Sequence, residues 1–117
     1  MQDRHWISRT TALIGEEALN KLNNSHVLVV GLGGIGSFAA EFIARAGVGK
    51  LTIVDGDVVD PTNRNRQIQA MASTHGMSKA DLIISRLCSA LAFIVFKLKL
   101  CLRAWSTASS IVNDFCA

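Results

Sequence analysis

The stretch HVLVVGLGGIG, at residues 26–36, constrains the fold of this chain more than any other segment. An apolar run leads into three spaced glycines, and an amphipathic helical pattern follows. Gly31 allows a sharp turn, Gly33 lets the backbone approach a phosphate, and Gly36 lets the helix lie close to the sheet. Strand, glycine turn and helix in this order predict a phosphate-binding cradle at the amino end of the helix.

A second predicted strand, residues 50–55, ends in an acid. Asp55 lies where such units place a carboxylate on the ribose hydroxyls of a nucleotide. Two strands joined by a helix form a right-handed parallel crossover, so the glycine turn and Asp55 share the carboxyl edge of the sheet. We therefore predict an α/β fold with a Rossmann-like parallel sheet and flanking helices. A glycine turn that only packs a helix on a sheet is the alternative.

The length of 117 residues suits one small domain, whereas a complete doubly wound nucleotide fold usually needs more. We therefore expect an incomplete nucleotide-binding half. The predicted divisions are an arm and helix over residues 1–25, the Rossmann-like domain over 26–87, and a hydrophobic tail over 88–117. The tail contains a continuous apolar run, for which a buried strand over residues 92–98 is favoured over a membrane helix.

The charge and the cysteine content of the chain restrict its possible partners and location less strongly. A formal net charge of +3 favours anionic partners only mildly. The amino terminus lacks the apolar core of a signal peptide, and we expect no membrane association. The three cysteines fit neither a metal pair nor a disulfide framework, which indicates a reducing, cytoplasmic location. The histidines are expected to be structural or exposed: His5, His26 and His75.

Local patterns predict the remaining elements. Residues 1–11 suggest an irregular arm, and residues 15–22 suit a short helix. In the helix after the glycine turn, the apolar face carries Phe38 and Phe42, with Glu41 and Arg45 as an exposed ion pair.

The polar residues 62–67 open a predicted short helix that runs through Met71. Ser78 then matches the N-cap of another helix, which places Lys79 at its first position.

Several charged side chains should converge on the glycine turn. Asp55 and Asp57 lie at the strand edge, Arg66 on the polar segment and Lys79 at a helix start. A site that holds β- and γ-phosphates favours added arginine and lysine, whereas a dinucleotide needs little charge beyond its pyrophosphate. The cations therefore favour a triphosphate. A nicotinamide-dependent oxidoreductase, suggested by the glycines alone, and solvated surface roles for Arg66 and Lys79 remain alternatives.

These motifs together resemble the ThiF/MoeB/HesA family of ubiquitin-activating-type adenylyltransferases. The matching segments are GLGGIG at 31–36, AGVG at 46–49, DGD at 55–57, TNRNRQ at 62–67 and Lys79. The resemblance covers roughly residues 3–87. The arm, with DRHW at 3–6 and Arg9, is most similar to the tRNA threonylcarbamoyladenosine dehydratase branch.

The resemblance implies a role for each matching residue. Arg66 and Lys79 would neutralise the triphosphate as pyrophosphate leaves, and Arg9 would reach the partner's site in a homodimer. The residues implied to bind ATP, with Mg²⁺, are Gly31, Gly33, Gly34, Gly36, Asp55, Asp57, Asn63 and Gln67. The implied reaction is adenylation of a carboxylate, in this branch the threonylcarbamoyl group of a tRNA. A sulfur-carrier or cysteine desulfurase-type partner is also implied.

The chain departs from the family pattern after about Leu87. Asp114 is the only acid after Asp81 and a weak counterpart of the aspartate that helps bind magnesium in the family. A truncated or frame-shifted product would explain this change. A catalytically inactive, nucleotide-binding fragment is therefore the alternative to an active enzyme.

Overall fold

A computed structural model describes residues 5–91 and 96–97 of the chain. Three parallel strands form one sheet in the order β1-β2-β3. Helices lie between the strands in sequence, which confirms the predicted Rossmann-like α/β fold. In chain order the elements are a 3₁₀ turn at His5–Ile7, α1 (Ser8–Asn23), β1 (His26–Val30), α2 (Gly36–Arg45), β2 (Lys50–Val54), 3₁₀ turns at Pro61–Asn65 and Ala72–Thr74, α3 (Lys79–Leu91) and β3 (Phe96–Lys97).

The strand register brings the two predicted motifs to the same edge. Val30 lies opposite Val54, so the chains leaving β1 and β2 emerge side by side. The Gly31 amide extends the ladder by donating to the Val54 carbonyl at 2.8 Å. Of the strand predicted over residues 92–98, Phe96–Lys97 is confirmed, and the other positions lie outside the described residues.

The main core lies between α2, α3 and one face of the sheet. Alternate strand residues point to this face, as expected for the two-residue period of a strand. Their burial against two helices supplies the principal hydrophobic stabilisation of the fold. The buried cluster comprises Val29, Leu32, Ala40, Ala44, Leu51, Ile53, Ala80, Ile83 and Leu87.

Helix α2 turns a different face to the core from the one predicted. Its buried residues are Ser37, Ala40, Glu41 and Ala44. Phe38 is 39% exposed and Phe42 is 65% exposed, with their rings stacked at a centroid distance of 6.5 Å. Small side chains let the helix approach the sheet closely, and this close approach overrides the apolar periodicity.

The prediction of an exposed Glu41 was therefore wrong, although its pairing with Arg45 was right. Glu41 is buried, and its carboxylate accepts from Arg45 Nε at 2.7 Å and from Arg86 Nε at 2.8 Å. Burial alone would raise the pKa of Glu41, but the two arginine hydrogen bonds and charges outweigh it and lower that pKa. The second arginine belongs to α3, so one carboxylate joins the two helices.

We expect the Glu41→Gln variant to be less stable than the parent at neutral pH, by about 1–3 kcal/mol, because charged hydrogen bonds are lost. A group whose pKa is lowered by folding stabilises the protein above its unfolded-state pKa. The contribution of the ionised Glu41 carboxylate to the free energy of unfolding should therefore disappear as the pH falls below about 4.5. Thermal unfolding between pH 7 and 3 measures this effect. An equal stability difference at both ends of the range would contradict the assignment.

The amino-terminal segment is more ordered than predicted. Helix α1 begins at Ser8, not near Gly15, and Gly15 interrupts it with φ +82°. Ile7 is buried and anchors this start, because a Cβ on Gly47 would lie only 2.5 Å from Ile7 Cδ1. The prediction of an irregular arm through residue 11 was wrong because tertiary packing fixes a segment of weak helix propensity.

His26 has a structural role, as expected. Its Nε2 lies 2.7 Å from Thr52 Oγ1 and so links β1 to β2. Burial, and then the nearby charge of Lys50, lower the pKa of His26. The imidazole therefore remains neutral at physiological pH.

The predicted start of the tail, residue 88, falls within a helix, because α3 continues to Leu91. Within residues 5–91 and 96–97, every helix is too short or too polar to cross a membrane. Cys88 is exposed on α3, and the other two cysteines lie outside the described residues.

Candidate nucleotide-binding site

The glycine turn between β1 and α2 has the backbone geometry that the sequence predicted. Gly31 adopts φ +88°, a conformation that favours glycine. A Cβ on Gly36 would lie 1.8 Å from the Gly31 carbonyl oxygen, so only glycine allows the helix to start against the turn. The Ser37 amide and hydroxyl both donate to the Gly33 carbonyl, at 3.2 and 2.6 Å. The turn and the first residues of α2 therefore form one fixed unit.

The unused amides of this unit suit an anion. Across the described ranges, no hydrogen bond uses the amides of Gly33, Gly34 or Ile35. A Cβ on Gly33 would meet nothing within 4 Å, so there is open space above this residue. Helix amino termini carry partial positive charge as well as free donors. Free amides and open space together fit a phosphate group.

Asp55 fixes the turn from the end of β2. Its Oδ2 accepts the Leu32 amide at 2.6 Å, and its Oδ1 accepts the Asp57 amide at 2.7 Å. The side chain is buried, and these charge-assisted hydrogen bonds satisfy both oxygens. Each carboxylate oxygen can accept a second hydrogen bond, so the predicted contact with ribose stays compatible with this geometry.

Lys79 is paired with Asp57, which lies two residues after Asp55 at the end of β2. Lys79 Nζ lies 3.7 Å from Asp57 Oδ2, and the Lys79 amide donates to the Asp57 carbonyl at 3.1 Å. The lysine side chain is only 8% exposed, whereas that of Asp57 is 75% exposed. A buried ammonium needs a counter-charge, and an exposed carboxylate can supply it without a large desolvation cost. Lys79 is the first residue of α3, as predicted, with Ser78 Oγ accepting the Asp81 amide.

Arg66 approaches the glycine turn through its aliphatic stem. A Cβ on Gly34 would lie 3.4 Å from Cγ and Cδ of Arg66, so a side chain at this position would fill the gap between them. Nη1 of Arg66 donates to the Thr62 carbonyl at 3.1 Å and to Asn65 Oδ1 at 2.9 Å. The arginine is exposed, and its stem lies against Gly34 of the glycine turn.

The polar segment forms two 3₁₀ turns, so the predicted helix through Met71 was wrong. Asp60 begins the first turn, and hydrogen bonds from the hydroxyl and amide of Thr62 lower its pKa. Asn63 is buried, and its Oδ1 accepts a hydrogen bond from the Asp60 amide at 3.0 Å. The first turn ends at Arg66, whose backbone is no longer helical at φ −147°, and the side chains of Gln67 and Gln69 beyond it are buried.

Gln69 is a site residue that sequence reasoning missed. It is only 3% exposed, and its Nε2 donates to the Leu32 carbonyl at 2.9 Å. The same nitrogen lies 3.4 Å from Oε1 of Gln67, which is also buried. Two glutamines separated by one residue after a polar run were the available signal, and in the structure a turn closed by the Ala70 amide and the Gln67 carbonyl brings them together.

The structure assembles all but one of the predicted site residues at the carboxyl edge of the sheet. Arg9 is the exception: it is exposed on α1, near Ile7, and Ile7 packs on Gly47 just before β2 begins. Asp55 follows the opposite end of that strand, so Arg9 is not part of the site within one chain. In the part of the chain that the structure describes, no three metal-ligating side chains cluster.

Sequence and structure comparisons identify proteins similar to this chain. A tRNA threonylcarbamoyladenosine dehydratase of Bacillus subtilis (strain 168) is 53% identical over 83 residues, which is 71% of this chain and 33% of that protein. The E. coli tRNA N6-threonylcarbamoyladenosine dehydratase TcdA has been solved with ATP and with AMP. The ATP complex superposes with a TM-score of 0.83 at 34% identity, covering 97% of this chain and 46% of that one. The AMP complex superposes with a TM-score of 0.78 at 40% identity, covering 81% of this chain and 40% of that one.

These comparisons also show how much of the relatives the chain represents. It spans about a third of the length of the Bacillus subtilis protein. The model of the ThiF family matches residues 7–114, and therefore extends beyond the segment that carries the recognisable motifs. On this match and on the identity to the dehydratase, the chain belongs to the ThiF family.

Proposed function

We propose that this chain binds ATP at the glycine turn and supplies the nucleotide-binding half of an ATP-dependent adenylating enzyme. The observation that carries the proposal is the set of unused amides at residues 33–35, with the Arg66 stem against Gly34 and with Lys79 paired to Asp57 at the same edge of the sheet. Free amides alone fit any phosphate. Two additional cations favour a ligand with more negative charge than a dinucleotide, and the relative solved with ATP has the same fold.

The proposed reaction is attack of a carboxylate oxygen on the α-phosphorus of ATP. The new oxygen–phosphorus bond gives an acyl-adenylate as the bond to the leaving oxygen breaks and pyrophosphate departs. The amides of the turn hold the phosphates, while Arg66 and Lys79 offset charge that develops on the leaving group. When bound, Mg²⁺ would come with the nucleotide, since it is usually held by phosphates, water and one or two carboxylates. Asp57 has the exposed carboxylate that fits this requirement.

The substrate we propose is the threonylcarbamoyl group of tRNA threonylcarbamoyladenosine. The name of the Bacillus subtilis relative supports this choice. Ring closure within the activated group would then expel AMP, so that the overall change is a dehydration. We further propose a cytoplasmic homodimer in which Arg9 of one copy serves the site of the other. A sulfur-carrier or cysteine desulfurase-type protein is an additional proposed partner.

ATP–pyrophosphate exchange, measured with the 117-residue chain, tests the proposal. We expect Arg66→Ala to lower exchange on the order of tenfold or more, because a charge that stabilises the leaving group is removed. Arg64→Ala is the matched control, since Arg64 is exposed and lies in the 3₁₀ turn that Arg66 ends. Equal exchange by the parent and the Arg66 variant would remove Arg66 from the mechanism.

Binding measurements separate the alternatives. ATP binding without exchange would support a nucleotide-binding protein that lacks adenylation activity. Displacement of ATP by NAD at comparable concentration would instead favour the dinucleotide interpretation of the glycine turn. Failure of both nucleotides to bind would overturn the proposed function.

A further inference from the structure

Two side chains hold the backbone of Leu32, one at its amide and the other at its carbonyl. Asp55 accepts the Leu32 amide at 2.6 Å, and Gln69 donates to the Leu32 carbonyl at 2.9 Å. Leu32 itself is fully buried, so its side chain adds a third constraint. Since Leu32 immediately precedes the unused amides, its orientation sets the direction in which those amides point.

The orientation of the Gln69 carboxamide is fixed by its neighbours. Its nitrogen faces two acceptors, the Leu32 carbonyl and Gln67 Oε1, which together take both of its hydrogens. A reversed carboxamide would place an oxygen against two oxygens. The remaining oxygen, Gln69 Oε1, is buried and has no hydrogen-bond partner within the described residues. An unpartnered buried oxygen destabilises a fold, which offsets part of the stability gained from the hydrogen bond to the Leu32 carbonyl.

We propose that Gln69 is a positioning residue for the nucleotide: its amide group holds the glycine turn in the phosphate-binding orientation and directs the Gln67 carboxamide. With Gln67 Oε1 occupied, the Gln67 amide nitrogen is left as a donor, and no hydrogen bond in the described ranges uses it. This inference rests on the proposed binding of ATP. It adds a buried residue to a site otherwise built from the turn and from charged groups.

The backbone contacts of Gln69 show that its side chain is not needed to hold the segment. Thr74 Oγ1 donates to the Gln69 carbonyl at 2.8 Å and also accepts the Met71 amide at 2.8 Å. These bonds fix the chain path around residue 69 independently of the carboxamide. A substitution at Gln69 should therefore alter the glycine turn more than it alters the local fold.

The decisive variant is Gln69→Met, which keeps the length of the side chain and removes both its polar groups. We expect at most a modest fall in melting temperature, because the Leu32 carbonyl loses its donor while the unpartnered Gln69 oxygen is removed at the same time. ATP binding should weaken about tenfold, the effect of one lost positioning hydrogen bond. Gln69→Glu should weaken ATP binding further, because a carboxylate would face the Leu32 carbonyl. Calorimetric titration with ATP measures affinity, and thermal unfolding measures stability.

Two controls separate positioning from general destabilisation. Glu41→Gln should lower the melting temperature while leaving ATP affinity within about twofold, because Glu41 contacts arginines and not the turn. In the double variant Gln67→Ala/Gln69→Met, the loss of ATP-binding free energy should not exceed the sum of the losses in the two single variants. A loss smaller than this sum supports the action of Gln69 through Gln67. Unchanged ATP affinity in a stable Gln69→Met variant would overturn the inference.

The amide resonances of residues 32–36 in the nucleotide-free protein provide a readout that does not depend on ATP. We expect them to shift in Gln69→Met and to remain in place in Glu41→Gln. If the parent binds no ATP but these resonances shift, the proposed function fails and the positioning role of Gln69 stands. If ATP binds and the resonances do not move, the positioning role fails and the proposed function stands.

Discussion

Gly36→Ala is expected to abolish nucleotide binding and to destabilise the fold by about 3 kcal/mol, because a methyl group would overlap a backbone atom. The Cβ would lie 1.8 Å from the Gly31 carbonyl oxygen, and no flexible side chain can move aside to relieve the contact. Either α2 must shift away from the turn or Gly31 must leave its position, and both changes disrupt the free amides. Thermal unfolding and ATP titration measure the two effects.

Gly33→Ala is the matched control for this prediction. A Cβ at Gly33 meets nothing within 4 Å, and the φ of this residue lies outside the left-handed region. We expect unchanged or slightly higher stability, as for other compatible glycine-to-alanine changes. ATP affinity should still fall, because the methyl group enters the space assigned to phosphate. Normal ATP binding by either variant would show that the nucleotide lies elsewhere.

Lys79→Met is expected to lower ATP–pyrophosphate exchange on the order of a hundredfold, because a preorganised positive charge beside the leaving group is removed. The fold should tolerate the change. Methionine fills the buried volume of the lysine stem, and the Asp57 carboxylate left behind is 75% exposed and remains hydrated. A large loss of activity without a comparable loss of stability is the expected signature.

The ratio of the affinities for ATP and AMP tests the role of Lys79 without catalytic turnover. If Lys79 contacts the outer phosphates, Lys79→Met should reduce the preference for ATP over AMP, while Lys79→Arg should retain most of it. Lys21→Met serves as the control, since Lys21 forms an exposed pair with Glu17 on α1. An ATP-to-AMP preference that is identical in the parent and in Lys79→Met would place Lys79 outside the phosphate site.

The parts of the structure that follow from backbone chemistry could be predicted from the sequence. Gly31 and Gly36 leave few alternatives, since one requires positive φ and the other excludes any side chain. The start of α3 at Lys79 also follows from local capping. These features depend on residues within a few positions of each other, and local rules therefore identify them correctly.

The parts that depend on packing could not be predicted in the same way. The hydrophobicity of Phe42 suggested a core position, yet the smaller Ala40 lets α2 approach the sheet more closely. Glu41 is buried because it also meets Arg86, which lies 45 residues away in sequence. Gln69 reaches the glycine turn across 37 residues. Single-sequence periodicity contains no information about such distant partners.

The buried carboxylate of Asp55 also affects how a ligand would encounter the site. It holds the Leu32 amide next to the free amides, and it holds the amide of Asp57, whose side chain pairs with Lys79. Donors fixed before the ligand arrives lose little conformational entropy on complex formation. The cleft should therefore behave as a preformed receptor with rapid association, and no closing motion of these groups should limit its occupancy.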